Sequence, residues 1–333
     1  MSDHPPFGTV FGPVMATAAW SNGNWSKATL GEVAPIAMHP AAHVLHYGSA
    51  CFEGLKAHRG DDDIVRIFRL GRHVERLRAS AARLCLPIPD SGDLTAMIID
   101  TVTANLEAIP AAPGSLYLRP TLVGTAPNIG AAGSPAAEAL LYVLTSPVGD
   151  YFAGGVRPLR IAVESRQPRT TPQFGSVKTG ANYAMALGVT MEARAAHDVA
   201  QVLFAPDGVV QETGASNVML LDADTVVTPA VDGSFLEGVT RASVLQLAVD
   251  NGMKVEEREL KLDELLTWAN HGEIALAGTA AILTPVGTLV VEGSDTVVGD
   301  GGVGETTAGL RELLINVQTG RAPDRHGWTL PVG

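Results

Sequence analysis

The chain has 333 residues, 46% of them hydrophobic and 17% charged, the composition of a globular protein with apolar material for two cores rather than of a disordered one. Its 23 basic and 35 acidic residues leave a formal charge of −12, which argues against a nucleic-acid backbone or an anionic membrane as the main partner and requires local positive charge wherever an anionic substrate binds. Two cysteines, Cys51 and Cys85, are too few for a disulfide framework or a thiolate zinc site and fit a reducing cytoplasm; the opening Met-Ser-Asp-His-Pro-Pro lacks the basic stretch and apolar core of a secretory signal.

In chain order, the segment from Leu45 to Pro89 alternates a Gly-rich turn, a strand over Val65 to Phe68 and a helix with Leu77, Ala81 and Leu84 on one face. A second helix follows with Leu94, Met97, Ile98 and Val102 aligned and Ser91 or Asp93 as its cap. Tyr117 to Val123 and Ala139 to Thr145 read as strands, giving a small α/β domain over residues 1–150. Ser146 to Gly155, with Pro147, Gly149, Gly154 and Gly155, has the composition of a connection, so a linker is set at 151–164 and a larger domain at 165–333.

The second half begins with a strand at Leu159 to Val163, a polar loop from Ser165 to Thr179 and a helix carrying Tyr183, Leu187 and Met191 four apart. Strands at Val202 to Ala205 and Val209 to Glu212 flank the hairpin signal Pro206-Asp207-Gly208, and Val218 to Leu221 with Thr225 to Thr228 repeat the pattern. Thr240 to Asn251 is a helix stopped by Gly252. The uncharged run Ile274 to Val291 is long enough for a membrane helix, but Gly278, Thr279, Thr284, Pro285, Gly287 and Thr288 break it into two buried strands and a turn. Thr306 to Gln318 closes with a helix.

Lys178 stands in Gly175-Ser176-Val177-Lys178-Thr179-Gly180-Ala181-Asn182-Tyr183, just before a helix. A lysine attacks an aldehyde only when neutral, which demands a partly desolvated or cation-rich pocket, whereas a lone loop lysine is ordinarily solvated surface. Glu212, in Gln211-Glu212-Thr213-Gly214-Ala215-Ser216-Asn217, ends an apolar strand where a carboxylate needs a partner; a pyridinium nitrogen is one, and water is the plainer one. Glu237-Gly238-Val239-Thr240-Arg241 and Ala277-Gly278-Thr279-Ala280-Ala281 are small-residue turns able to present N–H groups to an anion, though such turns are common. Arg119, in Tyr117-Leu118-Arg119-Pro120, is a guanidinium in an apolar strand that calls for a carboxylate, while Arg76 alone reads as part of a solvated helix face. Gly299-Asp300-Gly301-Gly302-Val303-Gly304 satisfies G-x-G-x-x-G, yet too little chain follows for a dinucleotide-binding unit, so it reads as a loop. No metal-binding motif is present, and no metal is expected.

Taken together these segments resemble the branched-chain amino-acid aminotransferases among the fold-type IV pyridoxal-phosphate enzymes. Phe7-Gly8-Thr9-Val10-Phe11 looks like that family's amino-terminal strand, His46-Tyr47-Gly48-Ser49-Ala50-Cys51-Phe52-Glu53-Gly54-Leu55-Lys56 is similar to its H-Y-x-x-x-x-F-E-G motif, and Ser80 to Pro87 to the helix end that follows. Six motifs in the family's order are far more specific than any one, and the closing His326-Gly327-Trp328 looks like the mammalian-type subgroup.

The resemblance implies a two-domain α/β fold of the D-amino-acid-aminotransferase type, with the small domain as lid and the large domain supplying the lysine. It implies pyridoxal 5′-phosphate as cofactor, bound to Lys178 as a Schiff base, with Glu212 at the pyridine nitrogen and Tyr183 at the ring hydroxyl. Arg76, the Val239 and Thr240 amides and Thr279 would hold the phosphate. Phe11, Tyr47, Phe52 and Tyr183 would form an apolar pocket, with Ile129 and Ala131 reaching in from the partner subunit of a homodimer. Tyr117 and the Ala280 and Ala281 amides would meet the substrate α-carboxylate, and Arg119 the side-chain carboxylate of glutamate. The substrates implied are amino acids and 2-oxo acids.

Ala281 and Thr284 stand where many mammalian-type members carry C-x-x-C, so a redox switch of that kind is not expected. Ala215 and Ile282 also depart from the patterns of some members. Two rival readings are another fold-type IV activity, D-amino-acid transamination or aminodeoxychorismate lysis, and a non-catalytic ligand-binding dimer; Tyr117 with Arg119 favours the first reading over the former, and the combination of lysine, acid and phosphate cup over the latter.

Overall fold

The computed structural model describes residues 7–149 and 155–333. In chain order the first half holds β1 (Val14–Ser21), β2 (Asn24–Trp25), β3 (Thr29–Glu32), α1 (His43–Tyr47), β4 (Ala50–Phe52), β5 (Leu55–Arg59), β6 (Val65–Phe68), α2 (Leu70–Arg83), α3 (Ser91–Thr103), β7 (Ser115–Gly124) and β8 (Ala139–Val148). There follow β9 (Leu159–Glu164), α4 (Gly180–His197), β10 (Gln201–Phe204), β11 (Asn217–Leu221), β12 (Thr225–Pro229), α5 (Val239–Asp250), β13 (Lys254–Arg258), α6 (Leu262–Trp268), β14 (Glu273–Gly278), β15 (Ile282–Val291), β16 (Ser294–Val297), α7 (Glu305–Gln318) and β17 (Thr329–Val332).

The chain divides into two compact units, one from the residues up to 149 with 177–180 and 316–333, the other from 155–176 and 181–315. This differs from a linker at 151–164 and a second domain running from 165 to 333. Leu159–Glu164 is a strand between β10 and β15, residues 151–154 lie outside the described residues, and the tail crosses back because β17 pairs antiparallel with β6. Lys178 therefore belongs with the first unit.

In the first unit the sheet order is β17-β6-β5-β7-β8-β1-β2, with β3 on β1 and β4 on β7, and every pairing is antiparallel. One face is apolar: Leu116, Leu118 and Leu122 of β7 alternate with Tyr117, Arg119 and Thr121 and bury against Val74, Leu77 and Ala81 of α2 and Leu94, Ile98 and Val102 of α3. α2 buries Leu70, His73, Val74, Leu77, Ser80 and Ala81, a stripe at helical spacing. α3 is capped by Asp90 rather than Ser91 or Asp93, its carboxylate accepting from the Gly92 and Asp93 amides at 2.7 and 3.1 Å. Phe7 to Phe11 is turn and bend instead of a strand: Gly8 adopts φ +76° and the strand begins only after Pro13, which has no N–H to pair. Ser146 to Val148 extends β8 rather than starting the connection.

The second unit's sheet runs β10-β9-β15-β14-β11-β12-β13 with β16 on β15; β9 is parallel to β10 and β15, and β12 to β13. The run 274–291 is two antiparallel strands, as its glycines and proline suggest, but the turn lies at 279–281 while Pro285 and Gly287 sit inside β15, with a register shift at Val286/Thr288. Val209 to Glu212 forms no regular strand; Gln211 N–H to Phe204 O at 2.9 Å and Phe204 N–H to Glu212 O at 3.0 Å keep the hairpin closed across Asp207 and Gly208, both at positive φ. In α4 the apolar stripe faces outward, with Leu187 and Met191 exposed, and the buried residues are Asn182 and Ala186.

His58 of β5 is buried, and its Nε2 has no hydrogen-bond partner among the described residues. Burial first and the Lys56 charge second push its imidazole down to about 3 from 6.5. As the folded value lies below the unfolded one, the unfolded chain takes up the proton first on acidification, so stability is lost progressively as pH falls from 6.5 toward 3. Thermal melts of His58→Leu should therefore depend less on pH below 6.5 than those of the wild type; parallel profiles would remove His58 as the cause.

Candidate active site

The site residues of the first unit follow from an interruption in its sheet. β4 and β5 keep one register against β7, Phe52 opposite Thr121 and Leu55 opposite Leu118, yet the ladder breaks at Glu53 and Gly54. The cause is Pro120: its carbonyl accepts from Glu53 N–H at 2.8 Å, but it has no N–H to return. Glu53, freed from the ladder, is 1% exposed and meets α2, where His73 Nδ1 lies 2.7 Å from Oε2 and Arg76 donates through Nε to Oε1 at 2.6 Å and Nη2 to Oε2 at 2.9 Å. Burial alone raises this carboxyl, but the Arg76 and His73 charges and hydrogen bonds outweigh it and hold it well below the usual carboxylate range. Burial lowers His73 against the pull of Glu53, and its Nδ1, facing the carboxylate oxygen, is the donor of that hydrogen bond. Arg76 is thus fixed in a two-point pair with a buried carboxylate, not solvated on a helix face.

One turn after Arg76, Ser80 Oγ accepts from the backbone N–H of Lys178 at 3.0 Å, while the Lys178 carbonyl accepts from Phe52 N–H at 3.0 Å. Lys178 is half-buried, and Nζ lies 5.3 Å from the Phe52 ring centroid. On the polar face of β7, Arg119 packs over the same ring at 4.6 Å and donates from Nη2 to the Tyr117 hydroxyl at 2.8 Å. Gly54 is required here, because a Cβ on it would fall 2.0 Å from the Tyr117 hydroxyl. Lys178, Phe52, Tyr117 and Arg119 are therefore one cluster. Tyr47 lies with Ile129 instead, its hydroxyl donating to the Ile129 carbonyl. Ile129 is 69% exposed and Phe11 53%, whereas Ala131 is buried within its own loop.

In the second unit the assigned residues converge on Asn217. Its amide donates to Glu212 Oε2 at 3.1 Å and to the Leu236 carbonyl at 2.9 Å, the Leu236 N–H donates to Glu212 Oε1 at 3.0 Å, and Asn217 pairs with Ala277 next to the 279–281 turn. Glu212 is 2% exposed, so water is not its partner. Gly238 caps α5 where a Cβ would strike Asn217 Oδ1 at 2.1 Å, and Val239 and Thr240 open the helix with first-turn N–H groups that have no intrahelical acceptor. The 279–281 turn ends at Ile282 with φ +67°, a strained position for a β-branched residue, and Arg311 donates to the Ala281 and Leu283 carbonyls around it.

Several residues of these clusters had no role in the sequence reading. Arg169, 2% exposed, places Nη1 2.7 Å from Glu212 Oε1 and lies over the Tyr183 ring at 5.9 Å. It is an ion pair by distance without hydrogen-bond alignment, and Arg169 Nε has no partner among the described residues. Nothing in Arg166-Gln167-Pro168-Arg169-Thr170 separates Arg169 from the exposed Arg166. Glu53 and His73 carried a signal, a carboxylate inside an apolar strand and a histidine on the apolar stripe of α2. Glu53→Ala, which leaves Arg76 facing a buried void, should cost about 3–5 kcal/mol, read as a lower urea midpoint; an unchanged midpoint would show that the carboxylate does not anchor α2.

The class IV amino-transferase family matches residues 50–289. A branched-chain-amino-acid aminotransferase 2 of Bacillus subtilis is 36% identical over 98% of this chain and 92% of its own length, and a branched-chain-amino-acid aminotransferase of Mycobacterium tuberculosis is 36% identical over 100% and 94%. Among solved structures, the T.th. branched-chain amino acid aminotransferase with pyridoxamine 5′-phosphate superposes with a TM-score of 0.78 at 28% identity, covering 95% of this chain and 98% of that one. With the family matched over most of the sequence and full-length relatives above a third identical, the chain belongs to the class IV aminotransferases, among the branched-chain-amino-acid aminotransferases.

Proposed function

We propose that this chain transfers an amino group reversibly between L-leucine, L-isoleucine or L-valine and 2-oxoglutarate with pyridoxal 5′-phosphate as cofactor. The observation that carries the reading is Lys178, half-buried and fixed through both its backbone N–H and its carbonyl, in a chain of this family. The residues fit the cofactor: a buried carboxylate at Glu212, a helix start at Val239 and Thr240 whose cap admits no Cβ, and a buried unpartnered Nε on Arg169 form a donor and acceptor set suited to a phosphorylated pyridine.

When bound, pyridoxal phosphate supplies an electrophilic carbon and a ring that accepts electron density. Lys178 Nζ would hold the cofactor and would serve as the base that takes the proton from the substrate Cα. Glu212 would accept from the ring nitrogen and keep it protonated. Tyr183 binds the ring hydroxyl. The Val239 and Thr240 amides and Thr279 would hold the phosphate, and the family resemblance implies the same role for Arg76, which is steadied by Glu53.

For the substrate, the roles the family resemblance implies are apolar contact for Phe11, Tyr47, Phe52, Ile129, Ala131 and Tyr183, the α-carboxylate for Tyr117 and the Ala280 and Ala281 amides, and the second carboxylate of glutamate for Arg119, whose buried Nε has no partner among the described residues. The working form is a cytoplasmic homodimer in which Ile129 and Ala131, and with them Tyr47 through its bond to the Ile129 carbonyl, serve the partner subunit's pocket. The exposed Leu45, Ile129, Met185, Leu187 and Met191 supply apolar surface for such an association, both cysteines are free, and no helix among the described residues is long and apolar enough to cross a membrane.

Coupled assays should show turnover of L-leucine with 2-oxoglutarate; turnover of D-alanine but not L-leucine would overturn the assignment. Borohydride reduction should bleach the cofactor absorbance and add its mass at Lys178. Lys178→Ala should abolish turnover while still binding the cofactor, and Glu212→Gln should lower kcat by about tenfold or more with a smaller effect on KM. Light scattering should report twice the chain mass.

A further inference from the structure

The loop between β7 and β8 is bound to the segment around α1 by contacts that the proposed reaction does not use. The backbones are zipped together: His43 N–H donates to the Ala126 carbonyl at 3.0 Å, Asn128 N–H to the Ala41 carbonyl at 3.0 Å, and Ala42 bridges Pro127. The Tyr47 hydroxyl adds its bond to the Ile129 carbonyl. At the centre is the His43 imidazole, 6% exposed, with Nε2 3.1 Å from the Ser134 carbonyl and 3.4 Å from the Ala131 carbonyl, and Nδ1 2.9 Å from Ser49 Oγ. Carbonyls only accept, so the proton sits on Nε2, and the Ser49 hydroxyl donates to Nδ1 in the neutral ring. The ring also lies 4.8 Å from that of Tyr47. Space for this arrangement depends on Gly124, where a Cβ would fall 2.5 Å from Ser49 Oγ.

We infer that His43 is a specificity-positioning residue, which pins the loop of residues 129–134 to α1 so that the Tyr47 ring and the Ile129 side chain form one preassembled apolar wall for a branched substrate side chain in the partner subunit's pocket. A loop whose tip is 69% exposed cannot hold a side chain in place by burial; here the Ala131 and Ser134 carbonyls that follow the tip are tied by hydrogen bonds to a buried ring. A fixed wall spares the aliphatic substrate the ordering of the loop on binding. Glutamate relies less on that wall, because its second carboxylate has Arg119. The inference rests on the branched-chain reading, whose own test is L-leucine turnover by the wild type.

The test uses the full-length, cofactor-loaded protein with His43→Ala, His43→Gln and Ser49→Ala. Single-turnover kinetics of the two half-reactions should show kcat/KM for L-leucine falling about tenfold or more in His43→Ala, chiefly through KM, with L-glutamate changed about threefold or less and borohydride labelling at Lys178 intact. His43→Gln, which restores an N–H donor, should recover most of the loss, and Ser49→Ala should show a smaller loss in the same direction. Hydrogen exchange at Asn128 and Ser134 should accelerate in His43→Ala and Ser49→Ala whichever substrate the enzyme uses, so a wrong substrate assignment would leave this arm standing. Equal losses for both substrates, or wild-type selectivity despite faster exchange, would overturn the specificity role; unchanged exchange in both variants would overturn the pin.

Discussion

The first unit is organised around a carboxylate that would not be tolerated alone. An isolated ionised glutamate buried to 1% exposure is costly, and Glu53 is stable there because α2 brings His73 and Arg76 to it. The chain of cause runs back to Pro120, which cannot complete the ladder opposite Glu53 and so releases that residue from the sheet. It runs forward to Lys178, because the helix fixed by the ion pair also presents Ser80 Oγ to the lysine's backbone N–H. A proline in a strand thereby sets the position of the proposed catalytic amine through a relay of contacts. Each contact uses a group whose alternative is an unsatisfied buried polar atom, so the relay is held at every step.

The second unit solves the same problem with a neutral hub. Asn217 can donate twice and accept at once, so a single side chain ties the Glu212 carboxylate to the loop that precedes α5. Gly238 leaves room for it, and the helix starts one residue later with its first amides unpartnered within the helix. Arg169 adds a further partner at Glu212, its Nη1 lying 2.7 Å from Oε1. The strained φ at Ile282 sits at the end of the neighbouring turn, where the Arg311 bonds to two carbonyls hold a conformation that an isoleucine would otherwise avoid.

Much of this was legible in the sequence because motif and local structure share a cause. β6, the two strands of the 274–291 run and the helices α2 and α3 follow from apolar periodicity, and Glu212 and Arg119 stand out as polar groups in places that need partners, whereas Lys178 alone reads as a solvated loop lysine. What was missed depends on long-range pairing. No periodicity tells that residues 329–332 return to β6, since that pairing is fixed by a partner over a hundred residues away. The outward face of α4 defeats the rule that an apolar stripe is core: Leu187 and Met191 are exposed while the polar Asn182 is buried, bonded to Thr170 and Phe174. Phe7 to Phe11 carries strand-like residues, but Pro13 denies them a ladder.

The two substrates the proposed reaction must accept make opposite demands, and the two clusters of the first unit divide them. Arg119 is stacked against Phe52 and bonded to Tyr117, so much of its guanidinium face is covered by rings. An aliphatic side chain nearby then meets aromatic carbon, and the charge stays available through the plane of the guanidinium to a carboxylate that arrives edge-on. Tyr47 and Ile129 contribute only apolar surface toward a ligand, because the polar atoms of their contact, the hydroxyl and the carbonyl, are spent on each other. Thiol chemistry has little part in tuning either cluster: Ala281 and Thr284 carry no sulfur, and Cys51, close to the Glu53 charge, is buried so that burial and that charge push its thiol up to about 12. Under the proposed roles, selection between leucine and glutamate would rest on geometry, on how firmly one wall is held and how fully one guanidinium is shielded, and these are properties of separate segments that substitution can alter one at a time.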